Sequence, residues 1–178
     1  MTILRIRTLG DPVLRERARP LERFDASLRR LVDDMMETMY EAPGVGLAAP
    51  QVGVSSRFFV YDDGDTGPRF LANPELLPIK KEQVKEEGCL SIPGPFYETP
   101  RALKVKIRGQ DLGGRWVEMS PEGQLARIFQ HEADHLDGML YIDRLDEVGR
   151  RDVMRQLREH ELTREMKGSH PSGGRSLT

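Results

Sequence analysis

Residues 131–135 read HEADH, inside the run RIFQHEADHLDG. In a helix, positions four apart share a face, so His131 and His135 can aim two imidazoles at one point. Glu132 is rotated by about 100° from His131. It can approach a water held at that point without ligating an ion itself. This is the mechanical content of HExxH, two metal ligands and a carboxylate that moves a proton. The flanks argue against a solvent-facing pair. Leu125, Ile128, Phe129, Leu136, Met139 and Leu140 put apolar side chains on several faces, as in a buried helix. Burying two histidines and a glutamate without partners is costly, and a metal ion removes that cost.

Two imidazoles need a third ligand. Downstream, the remaining histidines are His160 and His170, both near a polar C-terminus. Cys89, in EEGCLSIPG, is the one thiol of the chain. A free cysteine is commonly just a small buried side chain. This one follows a glycine and divides a charged run from Leu-Ser-Ile-Pro. Cysteine with two histidines leaves one coordination position open, the catalytic arrangement, whereas a fourth protein ligand would make the site structural. Two other readings stand beside it. One is a zinc endopeptidase whose distal ligand is a carboxylate, Glu159 or Glu161. The other is a protein with a purely structural metal, which would not need Glu132.

The elements that must position these groups are legible in outline. FDASLRRLVDDMMETMYEAPG sets Leu28, Leu31, Val32, Met35 and Met39 on one helical face. Asp25 is its N-cap, and Pro43-Gly44 stops it. ILRIRTLG reads as a short strand or extended arm, and RFFVYD as a strand. RFLANPELLPIKKEQVKEEGCLSIPG reads as two or three short extended pieces. In ALKVKIRGQD, Leu103, Val105 and Ile107 alternate with Lys104, Lys106 and Arg108, a half-exposed antiparallel strand that LGG turns into the return strand RWVEMS. Ser120 is expected to cap the HEADH helix, with Pro121 at its first position. A charged helix follows over roughly 147–166, then a polar tail expected to be disordered.

The 178 residues suit one domain with its own core, and a catalytic unit over 1–167 is expected, with 168–178 as the tail. A formal net charge of −2 gives no global pull toward nucleic acid or anionic membrane. No apolar run approaches the ~20 residues of a membrane span. The N-terminus lacks the apolar core of a secretory signal, and one cysteine permits no internal disulfide, so a reduced cytoplasmic setting is expected.

Three stretches, GVGLAAPQ, EGCLS and QHEADHLDG, resemble in order and separation the sequence motifs of the peptide deformylases. LGDPVLRERARPL, LANPEL and MLYIDRL are similar to further family segments. The resemblance implies an α+β fold, with antiparallel β-sheets packed around a central HExxH helix and with N-terminal and C-terminal helices. It implies hydrolytic removal of the N-formyl group from the N-terminal methionine of new proteins, with release of formate. Cys89, His131 and His135 match the metal ligands and Glu132 the general base and acid. Gln51 and the backbone N–H of Leu90 match the donors to the formyl oxygen. Val45 and Gly46 match the segment that pairs with the substrate backbone, and Glu87 and Arg101 a structural ion pair. On their own, Gly46 would be a turn glycine, Gln51 a surface amide, Glu87 a solvated charge and Arg101 a strand-edge cation. The implied cofactor is one divalent ion, Fe(II) in the cell, replaceable by Zn, Ni or Co. The implied partner is the N-formyl-Met nascent peptide. A helix carrying Arg150, Arg151, Arg155, Arg158 and Arg164 suggests docking near the ribosomal exit tunnel, although its interspersed glutamates also suit a solvated face. Where some family members carry a substrate-contacting arginine, this chain has Phe96 and Tyr97.

Overall fold

In a computed structural model, residues 2–65 and 67–168 are described. The N-terminal helix α1 spans Ala26–Glu41, and the Asp25 carboxylate caps it by accepting from the backbone N–H groups of Ser27 and Leu28. Five strands follow: β1 (Gly46–Ala48), β2 (Phe58–Tyr61), β3 (Arg69–Cys89), β4 (Ile92–Gln110) and β5 (Trp116–Met119). They form one antiparallel sheet in sequence order, β1 at one edge and β5 at the other. The HEADH helix, α2, spans Gly123–Leu136, and α3 spans Glu147–Gly168. Residues 169–178 of the expected tail lie outside the described residues.

The expected short pieces of 69–94 are parts of one long hairpin. β3 and β4 pair from Ala72–Gln110 to Cys89–Ile92, with register shifts at Ala72/Glu75, Ile79/Glu82 and Gly88/Cys89. Each shift breaks the period-two alternation, so the sequence looks fragmented while the strand continues. Asn73 and Lys81, at positive φ of 48° and 135°, sit in the first two interruptions.

Burial on the two faces of the sheet fixes the helices. α1 packs Leu28, Val32, Met35 and Met39 against Leu47, Phe58, Val60 and Phe70. α2 packs Ile128, Phe129 and Leu136 against Phe59, Tyr61, Leu71 and Ile107. Tyr61 meets Phe129 edge-on at 4.7 Å. Such aromatic pairs add roughly 0.5–1.5 kcal/mol beyond burial and lock the rotation of α2 about its axis.

One local expectation changes, and one open reading resolves. Helix α2 begins after Glu122, at Gly123, rather than at Ser120-Pro121. The reason is competition for the backbone: Pro121 O accepts from Val105 N at 3.1 Å, and Glu122 bridges to Lys104, so this stretch is held extended against β4. Of the two readings of the N-terminal ILRIRTLG, the extended arm is the one seen. Arg7 N donates to Gln51 O at 2.7 Å and Leu9 N to Ser91 O at 2.8 Å, so the arm pins two segments that meet at the HEADH helix.

Candidate active site

Cys89 is the last residue of β3, and His131 and His135 lie one turn apart on α2. Cys89 Sγ is 3.2 Å from His135 Nε2, which is 3.2 Å from His131 Nε2. All three ligand atoms lie within 4.8 Å of one another. The Nδ1 atom of His131 meets Glu87 Oε1 at 2.6 Å, leaving Nε2 to face the cluster. Burial works against charge on the His131 ring, yet Cys89 and Glu87 hold its pKa well above the ordinary value. Burial and the neighbouring His131 push that of His135 well below. One thiol and two imidazoles converge on a single point. A thiolate with two imidazoles fits a borderline-soft divalent ion.

A buried ionic network stands behind the cluster. Glu87 accepts from Arg101 Nη2 at 2.5 Å and Nε at 3.1 Å, and from Arg127 Nη1 at 2.7 Å. Arg101 Nη1 also donates to Asp134 at 2.5 Å, and Asp134 accepts from Arg144 at 2.6 Å and 3.1 Å. Burial alone would raise the Glu87 pKa, but the hydrogen bonds from His131 and Arg101 hold it well below the carboxylate range. The sequence reading paired Glu87 with Arg101 and missed Arg127, Asp134 and Arg144. A signal for two of them existed. Arg127 and Asp134 stand four residues before and three after His131, so they share its helix face.

Glu132 is buried, and its Oε2 has no hydrogen-bond partner among the described residues. Burial, with Glu87 and Asp134 adding to it against His131 and Arg101, raises its pKa to about 7. A carboxyl poised there can both take and return a proton near neutrality. Gly46 opens β1 directly against it: a Cβ at Gly46 would overlap Glu132 Oε1 and lie 2.8 Å from the carboxyl carbon.

Gln51 is buried in the single 3-10 turn Ala49–Val52 that follows β1. Its Oε1 accepts from Ala48 N at 2.8 Å, and its Nε2 donates to Ser91 Oγ at 3.1 Å and points to Cys89 Sγ at 3.7 Å. Leu90 lies in the turn just after Cys89. Ser91, which helps aim the amide, is the last residue of the EGCLS stretch, but no role was read for its hydroxyl.

Val45, Gly46, Gln51, Cys89, Leu90, His131 and Glu132 all line one cavity of about 610 Å³. Of the Glu87–Arg101 pair, Glu87 borders it as well. His135 reaches the cluster from one turn further along α2. A larger cleft of about 1220 Å³, bordered by Leu77, Arg108 and Trp116, has no cysteine or histidine in its lining. Glu159 and Glu161, the carboxylates of the endopeptidase reading, are exposed on α3, and Glu159 pairs with Arg155 at 3.2 Å.

The family model described as Polypeptide deformylase matches residues 3–151. The chain is 53% identical over 147 residues to a peptide deformylase of Thermotoga maritima, covering 82% of this chain and 89% of that protein. To the peptide deformylase of Acidothermus cellulolyticus it is 48% identical over 182 residues, covering 99% and 100%. Its fold is similar to the crystal structure of a peptide deformylase from Legionella pneumophila, with a TM-score of 0.87 at 41% identity, covering 96% and 100%. The peptide deformylase of Thermus thermophilus superposes with a TM-score of 0.83 at 44% identity, covering 94% and 100%. Among the described residues, no helix is long and apolar enough to cross a membrane.

Proposed function

The chain belongs to the peptide deformylase family, metal-dependent hydrolases of N-formyl-methionyl peptides, and from that premise we propose which of its residues carry the reaction. The overall reaction adds water across the formyl C–N bond, releasing formate and a free N-terminal methionine amine. The observation that carries the assignment is the convergence of Cys89, His131 and His135 beside Glu132 and Gln51.

Cys89, His131 and His135 hold the metal ion. When bound, a divalent ion lowers the pKa of water toward neutrality and draws charge from a carbonyl oxygen. Glu132 accepts the proton of the attacking water and later delivers it to the departing amine; its raised pKa supports both transfers. The Gln51 side-chain amide and the Leu90 N–H donate to the formyl oxygen as negative charge develops on it. A donor fixed in advance is worth about 3 kcal/mol of transition-state stabilisation. β1 is an edge strand, and Val45 with Gly46 pairs with the extended backbone of the substrate, as a peptide adds to a sheet edge. Glu87 with Arg101 holds His131 in the orientation the metal needs.

The family resemblance implies Fe(II) as the cellular ion, with Zn, Ni or Co as substitutes, and a thiolate with two imidazoles suits iron or zinc alike. The reaction takes place in the cytoplasm on N-formyl-Met nascent peptides, through a catalytic unit spanning 1–167. The arginines of α3 suit docking to the ribosome, with no direct nucleic-acid chemistry. Substitution at Cys89 tests the assignment. C89A is expected to lose bound metal and formate release together. Retention of the metal would remove Cys89 from the ligand set and return the site to an HExxH reading with a distal carboxylate, Glu159 or Glu161.

A further inference from the structure

Gln51 and Ser91 come from distant parts of the chain, the 3-10 turn Ala49–Val52 and the turn between β3 and β4. Their side chains meet, the Gln51 amide donating to Ser91 Oγ at 3.1 Å. Among the described residues, no backbone hydrogen bond joins the two turns directly. The N-terminal arm joins them instead, through Arg7 N–H to Gln51 O and Leu9 N–H to Ser91 O. On an extended chain, groups two residues apart face the same way and stand about 7 Å apart. The arm is therefore a ruler laid across both turns, and its length sets the gap that the Gln51 amide spans.

The ruler is fixed along its length. Thr2 N donates to Asp34 of α1 at 2.7 Å and Leu4 N to Thr38 Oγ1 at 2.9 Å. Beyond Leu9, Asp11 caps the turn Pro12–Arg15 by accepting from Val13 N at 3.1 Å. Arg7 also lies across Gly53, the left-handed residue that closes the Gln51 turn; a Cβ there would come 3.0 Å from Arg7 Nε. The amide nitrogen of Gln51 carries two hydrogens. One goes to Ser91, and the other is left for the side of Cys89, whose Sγ lies 3.7 Å away.

We propose that Arg7 and Leu9 are positioning residues for the reaction. Through their backbone N–H groups they set the spacing of Gln51 and Ser91, and so keep one hydrogen of the Gln51 amide free for the developing oxyanion. The inference rests on the deformylase reading above, in which Gln51 donates to the formyl oxygen. Because the effect runs through Gln51, it cannot exceed the loss of that donor, about 10²- to 10³-fold in kcat.

The test measures kcat and KM for formyl-Met-Ala-Ser in the metal-loaded wild type, R7P, L9P and R5P, each with and without Q51A. Proline removes the N–H, and Arg5 stands in the same arm outside the two bonds. R7P and L9P should lower kcat roughly 10- to 100-fold with KM within about two-fold, the mark of an interaction made in the transition state. R5P should stay within about two-fold of the wild type in both, and R7A, which keeps the N–H, should lose less than R7P. In the Q51A background the proline losses should vanish, because a displaced amide costs nothing once the amide is gone. A glycine inserted after Thr8 lengthens the ruler without removing either N–H and should lower kcat as the prolines do. That variant decides the matter if a proline variant fails to fold. Unchanged kcat in the insertion variant and the folded proline variants, or an equal loss in the Q51A background, overturns the proposal. No formate from the wild type would instead sink the deformylase reading, and the proposal with it.

Discussion

Glu87 Oε1 and His131 Nδ1 meet at 2.6 Å across the junction of β3 and α2. One carboxylate thereby orients a metal ligand while neutralising two buried arginines, Arg101 and Arg127. Removing its charge in E87Q should weaken metal binding about 10- to 100-fold, the usual consequence of losing such an outer partner. It should also lower stability by roughly 3–5 kcal/mol, because the arginines stay buried with their charge uncompensated. Chelator competition and denaturant unfolding measure the two effects separately. An unchanged metal affinity would show that Glu87 only holds the fold together.

Gly46 is glycine for lack of space rather than for backbone freedom, since its Cβ would fall 2.8 Å from the carboxyl carbon of Glu132. G46A should therefore displace Glu132 and lower kcat by roughly 10²-fold, the scale of a misplacement of about 1 Å. Metal content should stay near that of the wild type, because the three atoms nearest the added methyl all belong to Glu132 and not to a ligand. A variant with normal kcat would mean that Glu132 moves aside freely and is not held for proton transfer.

Gln51 has its amide fixed by Ala48 and Ser91, and its backbone by the N-terminal arm. Q51A should reduce kcat about 10²- to 10³-fold, as expected for an oxyanion donor. Q51E keeps the shape but replaces the donor amide, and should be nearly as impaired. If both variants cost only a few-fold, the formyl oxygen has its donors elsewhere.

Metal should stabilise the fold, because the donors come from two separate elements, β3 and α2. A ligand at 100 times its Kd adds about 2.7 kcal/mol. For a chain of this length that corresponds to a rise in Tm of roughly 5–10 °C over the chelated protein. C89A should abolish the rise. Thermal unfolding with and without ion decides it, and an equal rise in C89A would exclude the thiol as a ligand.

The parts of the site carried on continuous sequence were legible; those assembled across chain distance were not. His131, Glu132 and His135 announce themselves by helical spacing, and α1 by its apolar face and cap. Cys89, Gln51 and Gly46 have no chemistry in local sequence. Cys89 was singled out as the one thiol able to complete two imidazoles, Gln51 and Gly46 only by the resemblance, and the sheet then gathers them. The Arg127–Glu87 and Arg101–Asp134–Arg144 contacts escaped because a helix arginine normally reads as a surface cation. Its burial here depends on a distant strand, Arg127 reaching Glu87 across 40 positions. The long hairpin escaped for a different reason. Its register shifts interrupt the alternation from which strands are read. The start of α2 was misplaced because Ser-Pro is a good helix opener, but pairing with Val105 and Lys104 claimed that backbone first.

The reaction itself is the most direct test. Protein purified anaerobically and loaded with Fe(II) is incubated with formyl-Met-Ala-Ser, and both formate and the peptide masses are followed. One formate per peptide consumed is expected, with intact Met-Ala-Ser as the sole peptide product. Absence of formate, or peptide fragments cut within Met-Ala-Ser, would contradict a deformylase built on Cys89, His131 and His135.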